Sequence, residues 1–154
     1  MAQLILMRHA AAVPATIGAS DFERALSGPG RVEAVQAARR LAREAGTIDR
    51  VLYSPAQRTG TTAQIVVAEL ALEPEAVVAA APLYAASPDT IRAVIAAEHG
   101  GAQRLLVVGH NPGISDLASE LSGQSTHLPT AGFWRGTLGA GDWQALLRGG
   151  RQSR

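Results

Sequence analysis

The chain contains no cysteine and no lysine. The first absence excludes disulfides, thiol nucleophiles and cysteine-ligated zinc. The second excludes Schiff-base chemistry and a P-loop lysine, and makes all 14 basic residues arginine. Aromatic residues are scarce, at 4% against a hydrophobic share of 47%, so a core must be assembled from Ala, Val, Leu and Ile. Charge of either sign is also missing as a field: the net value is +1, which gives no footing for a nucleic-acid partner. No apolar run approaches the length of a membrane span. The apolar stretch near the start is broken at Arg8 and does not read as a signal peptide. These features predict a cytoplasmic protein, without nucleic-acid or membrane partners, monomeric, with one domain over residues 1–148 and a flexible Gly/Arg-rich tail at 149–154.

What is present is an alternation of apolar runs and helical patterns. Strands are predicted at Gln3–Met7, Arg50–Tyr53, Val77–Ala81 and Arg104–Val108. Helices are predicted at Arg31–Ala45, with Val32, Val35, Ala38, Leu41 and Ala42 recurring, and at Gln57–Leu72, with Ile65, Ala68 and Leu72 on one side. Two more follow, at Pro88–His99 behind an Ser87 cap and from Gly113 to about Leu121. Phe133–Leu138 and Trp143–Leu147 flank Gly139-Ala140-Gly141-Asp142 and read as an antiparallel hairpin. The expected fold is α/β: a three-layer α/β/α sandwich whose central sheet is mostly parallel, with antiparallel C-terminal strands.

In such a sheet ligands bind beyond the carboxyl ends of the strands. The first strand delivers Arg8-His9 there, the second Ser54-Pro55 followed by Arg58-Thr59, and the fourth Gly109-His110-Asn111-Pro112-Gly113. Arg8-His9 by itself reads more often as a strand-end surface pair than as a catalytic dyad. With the other two segments it forms a set of two arginines and two histidines on one sheet edge. Guanidinium forks suit phosphate oxygens, and neutral imidazole serves as nucleophile or base. That set fits phosphoryl transfer better than acyl transfer, with one histidine attacking phosphorus and the arginines balancing oxygen charge.

"LMRHA", "SPAQRTGTTA" and "VVGHNPG", each at a strand end, together resemble the histidine phosphatase superfamily, whose fold is phosphoglycerate mutase-like. The small size, the alanine after Arg-His and the segment "FERALSGPGRVEA" are most similar to its short SixA-like phosphohistidine phosphatase branch. The resemblance implies that His9 is the nucleophile that becomes phosphorylated. Arg8 and Arg58 would hold the phosphoryl oxygens, and His110 would stabilise the transition state, with no metal and no cofactor. It further implies a phosphorylated protein, carrying phosphohistidine, as the substrate. A small phosphate ester or sugar phosphate is the alternative, and a phosphate-binding regulatory module without catalysis a third reading. Larger members of the superfamily carry a glutamate that protonates the leaving group. Here the nearest acidic residue after the third strand is Asp89, which reads as a first-turn helix residue. An alkoxide leaving group needs such an acid, whereas the imidazole of a phosphoramidate is itself easily protonated.

The remaining polar residues have plainer readings. His9 should attack as neutral imidazole with its other ring nitrogen donating to a backbone carbonyl. Asn111 reads as a helix cap or a left-handed turn residue, and with Thr130 of "STHLPTAG" completes the substrate-binding candidates. His99 reads as a helix-end residue, His127 as a loop histidine, and Trp134 and Trp143 as packing residues. The four histidines lack zinc-ligand spacing. So short a chain has little material to cover the site, which is expected to be open and shallow.

Overall fold

A computed structural model describes residues 2–138 and 143–148. In chain order the regular elements are β1 (Ala2–Arg8), α1 (Gly28–Glu44), β2 (Arg50–Tyr53), α2 (Gln57–Leu70) and β3 (Val77–Ala79). They continue with α3 (Pro88–Glu98), β4 (Arg104–Gly109), α4 (Gly113–Ser122) and β5 (Phe133–Leu138). The strands form one five-stranded sheet in the order β3-β2-β4-β1-β5. β1 and β2 both run parallel to β4, β3 runs parallel to β2, and among the described residues β5 alone is antiparallel, against β1.

Continuous apolar runs such as Leu4–Met7 and Leu105–Val108 are what a sheet covered on both faces requires, because successive side chains point to opposite sides. Leu4, Leu6, Leu105 and Val107 join Ile91, Ile95, Ile114 and Leu117 of α3 and α4. Ile5, Met7, Leu106 and Val108 join Ala34, Ala38 and Leu41 of α1 and Ala63 and Val66 of α2. The three-layer α/β/α arrangement follows from that alternation. Helix starts follow local chemistry: the Ser27 and Ser87 hydroxyls accept from Gly30 N and Thr90 N, with proline in the first turn of each helix.

The buried faces of two helices differ from the expected ones. In α1 the buried residues are Gly30, Ala34, Ala37, Ala38 and Leu41, while Val32 is 56% exposed and Ala42 is also outside. In α2 they are Arg58, Thr59, Thr62, Ala63 and Val66, while Ala68 is exposed and Ile65 half-buried. Both shifts have one cause. α1 and α2 pack against each other and the sheet through small residues, and alanine contributes too little apolar area to register in a periodicity dominated by Val and Ile. The first turns of α2 are also buried as polar surface, because they face the site.

The expected hairpin is half right. β5 is antiparallel, but Trp143–Arg148 is a 3-10 helix rather than a strand. Trp143 and Leu146, three residues apart, are both buried, which is the 3-10 period. The Trp143 indole donates to Ala102 O at 2.8 Å and its ring stacks with His99 at 5.9 Å, so the segment closes over the end of α3. The predicted turn at 139–142 and the tail at 149–154 lie outside the described residues.

Candidate active site

Register builds the site. Arg8, the last residue of β1, pairs with Gly109, the last of β4. His9 and His110 therefore leave adjacent parallel strands side by side, with ring centroids 5.4 Å apart and planes inclined by 59°. β2 flanks β4 on the other side and delivers Ser54 to the same edge; Ser54 is fully buried, and its Oγ lies 2.8 Å from His110 Nε2. From the start of α2 comes Arg58, only 7% exposed. His9, His110, Arg58 and Arg8 are thus brought together as expected.

The backbone around His9 is clamped. His9 N donates to Gly109 O, His9 O accepts from Ala131 N, and Ala10 N donates to Thr62 Oγ1. His9 Nδ1 lies 2.7 Å from Ala10 O, so Nδ1 carries the proton and Nε2 is left with a lone pair. Burial, opposed by the Ala10 carbonyl and aided by Arg58, Arg8 and Arg24, pushes the His9 pKa down to about 4. Burial, with Arg58 and His9, pushes His110 down to about 4 as well. Both rings are neutral at neutral pH. Among the described residues His110 Nδ1 and Arg8 Nε are buried without a partner, an unusual cost unless an anion completes them.

Residues that the sequence reading passed over hold this set in place. Thr62 donates to Arg58 O while accepting from Ala10 N. Glu33 accepts from Ala11 N and from the Thr130 hydroxyl. Asp21 reaches across from the loop before α1: its Oδ2 is 2.9 Å from Arg58 Nη2 and accepts from the Tyr84 hydroxyl at 2.7 Å. Arg58 Nη1 also donates to Asp21 O at 2.7 Å. Hydrogen bonds from Tyr84 and Arg58, then Arg24, hold the Asp21 carboxyl well below the usual carboxylate range. Thr62 and Ser54 lie inside or beside the quoted "SPAQRTGTTA" and were within reach of the sequence. Asp21 and Tyr84 were not, since nothing local marks them.

The other candidates fall out differently. Asn111 is neither a cap nor left-handed: Pro112 is the N-cap of α4, and the left-handed non-glycine residues described are Ala71, Ala85 and Ala131. Its Nδ2 donates to Leu128 O at 3.0 Å and its Oδ1 accepts from Ser115 Oγ. Leu128 O also accepts from Arg8 Nη1 at 3.3 Å, so Asn111 fixes the carbonyl on which Arg8 leans. Thr130 is engaged with Glu33. Asp89 projects into solvent, its side chain 93% exposed and 3.8 Å from Arg92. His99 ends α3 as its C-cap, and His127 is exposed. Nor is the site as open as expected: His9 is 8% and His110 6% exposed, beneath a rim of Asp21, Phe22 and Tyr84. Among the described residues no group of three or more His, Asp or Glu could hold a metal, and no helix is long and apolar enough to cross a membrane.

The histidine phosphatase superfamily (branch 1) model matches residues 4–79, the stretch that carries Arg8, His9, Ser54 and Arg58. Over that stretch the chain resembles the histidine phosphatase superfamily. The SixA protein of Agrobacterium tumefaciens is similar over 87% of this chain and 90% of its own, at 28% identity and a TM-score of 0.78. The SixA protein of Nakamurella multipartitia is similar over 97% and 91%, at 28% identity and a TM-score of 0.73. A protein histidine phosphatase SixA complexed with tungstate is similar over 88% of each chain, at 28% identity and a TM-score of 0.77. No curated protein sequence matches. The chain thus has the phosphoglycerate mutase-like α/β fold and is a SixA-like phosphatase.

Proposed function

We propose that this histidine phosphatase removes the phosphoryl group from phosphohistidine on a protein, through a phospho-His9 intermediate and without a metal. The observation that carries this reading is His9: a recessed, neutral imidazole whose Nδ1 is tied to Ala10 O, leaving the Nε2 lone pair as nucleophile among cationic groups. Arg58 retains three of its five N–H donors beyond the two given to Asp21, and Arg8 Nε is unpartnered, so both can grip phosphoryl oxygens. His110, fixed through Ser54, offers a further ring nitrogen to the transferring group. Tungstate is a tetrahedral oxyanion like phosphate, and the SixA protein seen with it is similar over most of this chain.

Two features favour a phosphoramidate over an ester. Asp89 projects into solvent, its side chain 93% exposed beside Arg92, and Asp21 is held ionised by Tyr84 and Arg58. A leaving imidazole does not need either, because its second nitrogen takes a proton from water.

The test is a panel of a phosphohistidine-bearing protein against simple phosphate esters, run with chelator-treated enzyme and with His9→Ala. Wild type is expected to cleave phosphohistidine fastest, to retain its rate after chelation, and to form an acid-labile phospho-enzyme. His9→Ala should lose both label and turnover, by at least about a thousandfold for removal of a nucleophile. Ester turnover with no phosphohistidine cleavage would replace this reading with the small-ester alternative.

A further inference from the structure

The residues above the two histidines make a second, chemically distinct surface. Phe22 packs edge-on against Tyr84 at 5.1 Å, and Tyr84 packs edge-on against His110 at 5.5 Å. Phe22 is 40% exposed, so this aromatic wall runs from the buried imidazole pair out to solvent. Beside it stands the Asp21 carboxylate, with its side chain 49% exposed. A carboxylate offers about four lone-pair sites. Here Arg58 and Tyr84 occupy Oδ2 and Arg24 occupies Oδ1 at 3.1 Å, which leaves one site on Oδ1. The charged or titratable groups facing the carboxylate are Arg24 on its own turn, Arg58 from α2, Tyr84 from the loop before α3 and, farther off, His110. Arg58 and Arg24 already pair with this carboxylate, yet it stays half-exposed at the rim with one acceptor site open, where it can receive a cationic N–H.

We propose that Asp21, with the Phe22–Tyr84 wall, is the leaving-group subsite and receives the substrate's imidazole in its protonated form. This rests on the phosphohistidine reading above. The carboxylate accepts the N–H of the ring nitrogen distal to phosphorus, and the aromatic faces pack on the cationic ring. The His9 Nε2 lone pair then forms a bond to phosphorus as the bond from phosphorus to the substrate's nitrogen breaks. The electron pair of that bond stays on the leaving ring. Because the distal nitrogen already carries its proton, the ring departs as neutral imidazole, and water later takes the phosphoryl group from His9. The proton that a general acid would give is thereby supplied by the substrate, and Asp21 holds it in place. Asp21 is a substrate-binding residue in this scheme as well as an anchor for Arg58.

The two roles separate by selectivity. Loss of the Arg58 anchor harms every phosphate substrate alike, whereas loss of the imidazolium contact harms only phosphohistidine. The experiment measures kcat/KM of Asp21→Asn and Phe22→Ala on a phosphohistidine peptide and on an aryl phosphate, whose leaving group is an anion. Asp21→Asn is expected to lose roughly tenfold to hundredfold more on the peptide than on the aryl ester, the value of a hydrogen bond to a charged group. Phe22→Ala, which removes neither of the hydrogen bonds from Arg58 to Asp21, should lose selectively on the peptide too. Equal losses on both substrates in both variants overturn the subsite and leave the phosphohistidine reading intact. A wild type that turns over the aryl ester but not the peptide overturns that reading, and the subsite with it. Circular dichroism and a cooperative thermal transition in each variant show that it is folded.

Discussion

The chemistry depends on which ring nitrogen bears a proton. An imidazole with Nδ1 tied to its own neighbouring carbonyl has one tautomer, and burial keeps it neutral. The prediction at this scale is spectroscopic. In a ring-nitrogen NMR titration of the free enzyme, His9 and His110 should stay neutral until the pH approaches about 4. Ordinary titration of His9 would remove the pre-formed nucleophile. The four side chains proposed as catalytic were legible in the sequence because each ends a strand or begins a helix in a dense polar motif. Asn111 was legible as a polar residue in a turn, but not as the brace of Leu128, because its partners Ser115 and Leu128 come from a helix and a loop beyond it.

At the scale of elements, two close approaches set the site's dimensions. A Cβ on Gly30 would lie 2.0 Å from Ala11 O, and one on Gly113 would lie 1.9 Å from Ala86 O. Gly30 lets the first turn of α1 press against the chain just after His9, where the Ser27 hydroxyl also donates to Ala11 O. Gly30→Ala has no side-chain rotamer to escape into, so the backbone must move. It is expected to cost about 1–3 kcal/mol of stability, as overpacking does, and to lower turnover by displacing the Ala10–Ala11 segment. Chemical denaturation alongside a turnover assay checks both, and an unchanged denaturation midpoint would contradict the close approach. The helices themselves were legible from their periodicity and, for α3, from the cap at Ser87 with Pro88. Their buried faces were not: alanine looks the same on either side of a helix, and only packing of α1 on α2 chooses between them.

For the molecule as a whole, the two buried neutral histidines make stability depend on pH. Their folded pKa values lie below the unfolded value, so the unfolded chain binds more protons as the pH falls through about 6.5 toward about 4. Stability is therefore full above that window and declines within it, by about 2 kcal/mol for each histidine at pH 5. Asp21 acts in the same direction, but its contribution is lost only at lower pH, below the ordinary carboxylate range. Thermal unfolding at pH 7.5 and pH 5 should show the drop, and His110→Asn should reduce it; pH-independent unfolding across this range would show that the rings are not buried neutral.

The sequence by itself determined the strand–helix alternation, the covered sheet and the set of Arg8, His9, Arg58 and His110, because those follow from local periodicity, capping and polar residues at strand ends. It did not determine the last segment, where a spacing of three between Trp143 and Leu146 mattered more than aromatic content. Tertiary structure alone decided the rim. Phe22 opens the quoted "FERALSGPGRVEA", but nothing in the sequence pairs it or Asp21 with Tyr84, which lies 63 residues beyond Asp21; they meet over His110 only in the folded chain. Reactive groups announce themselves locally by their chemistry. The groups that choose a substrate are defined by what they surround, and that is settled only when the chain is folded.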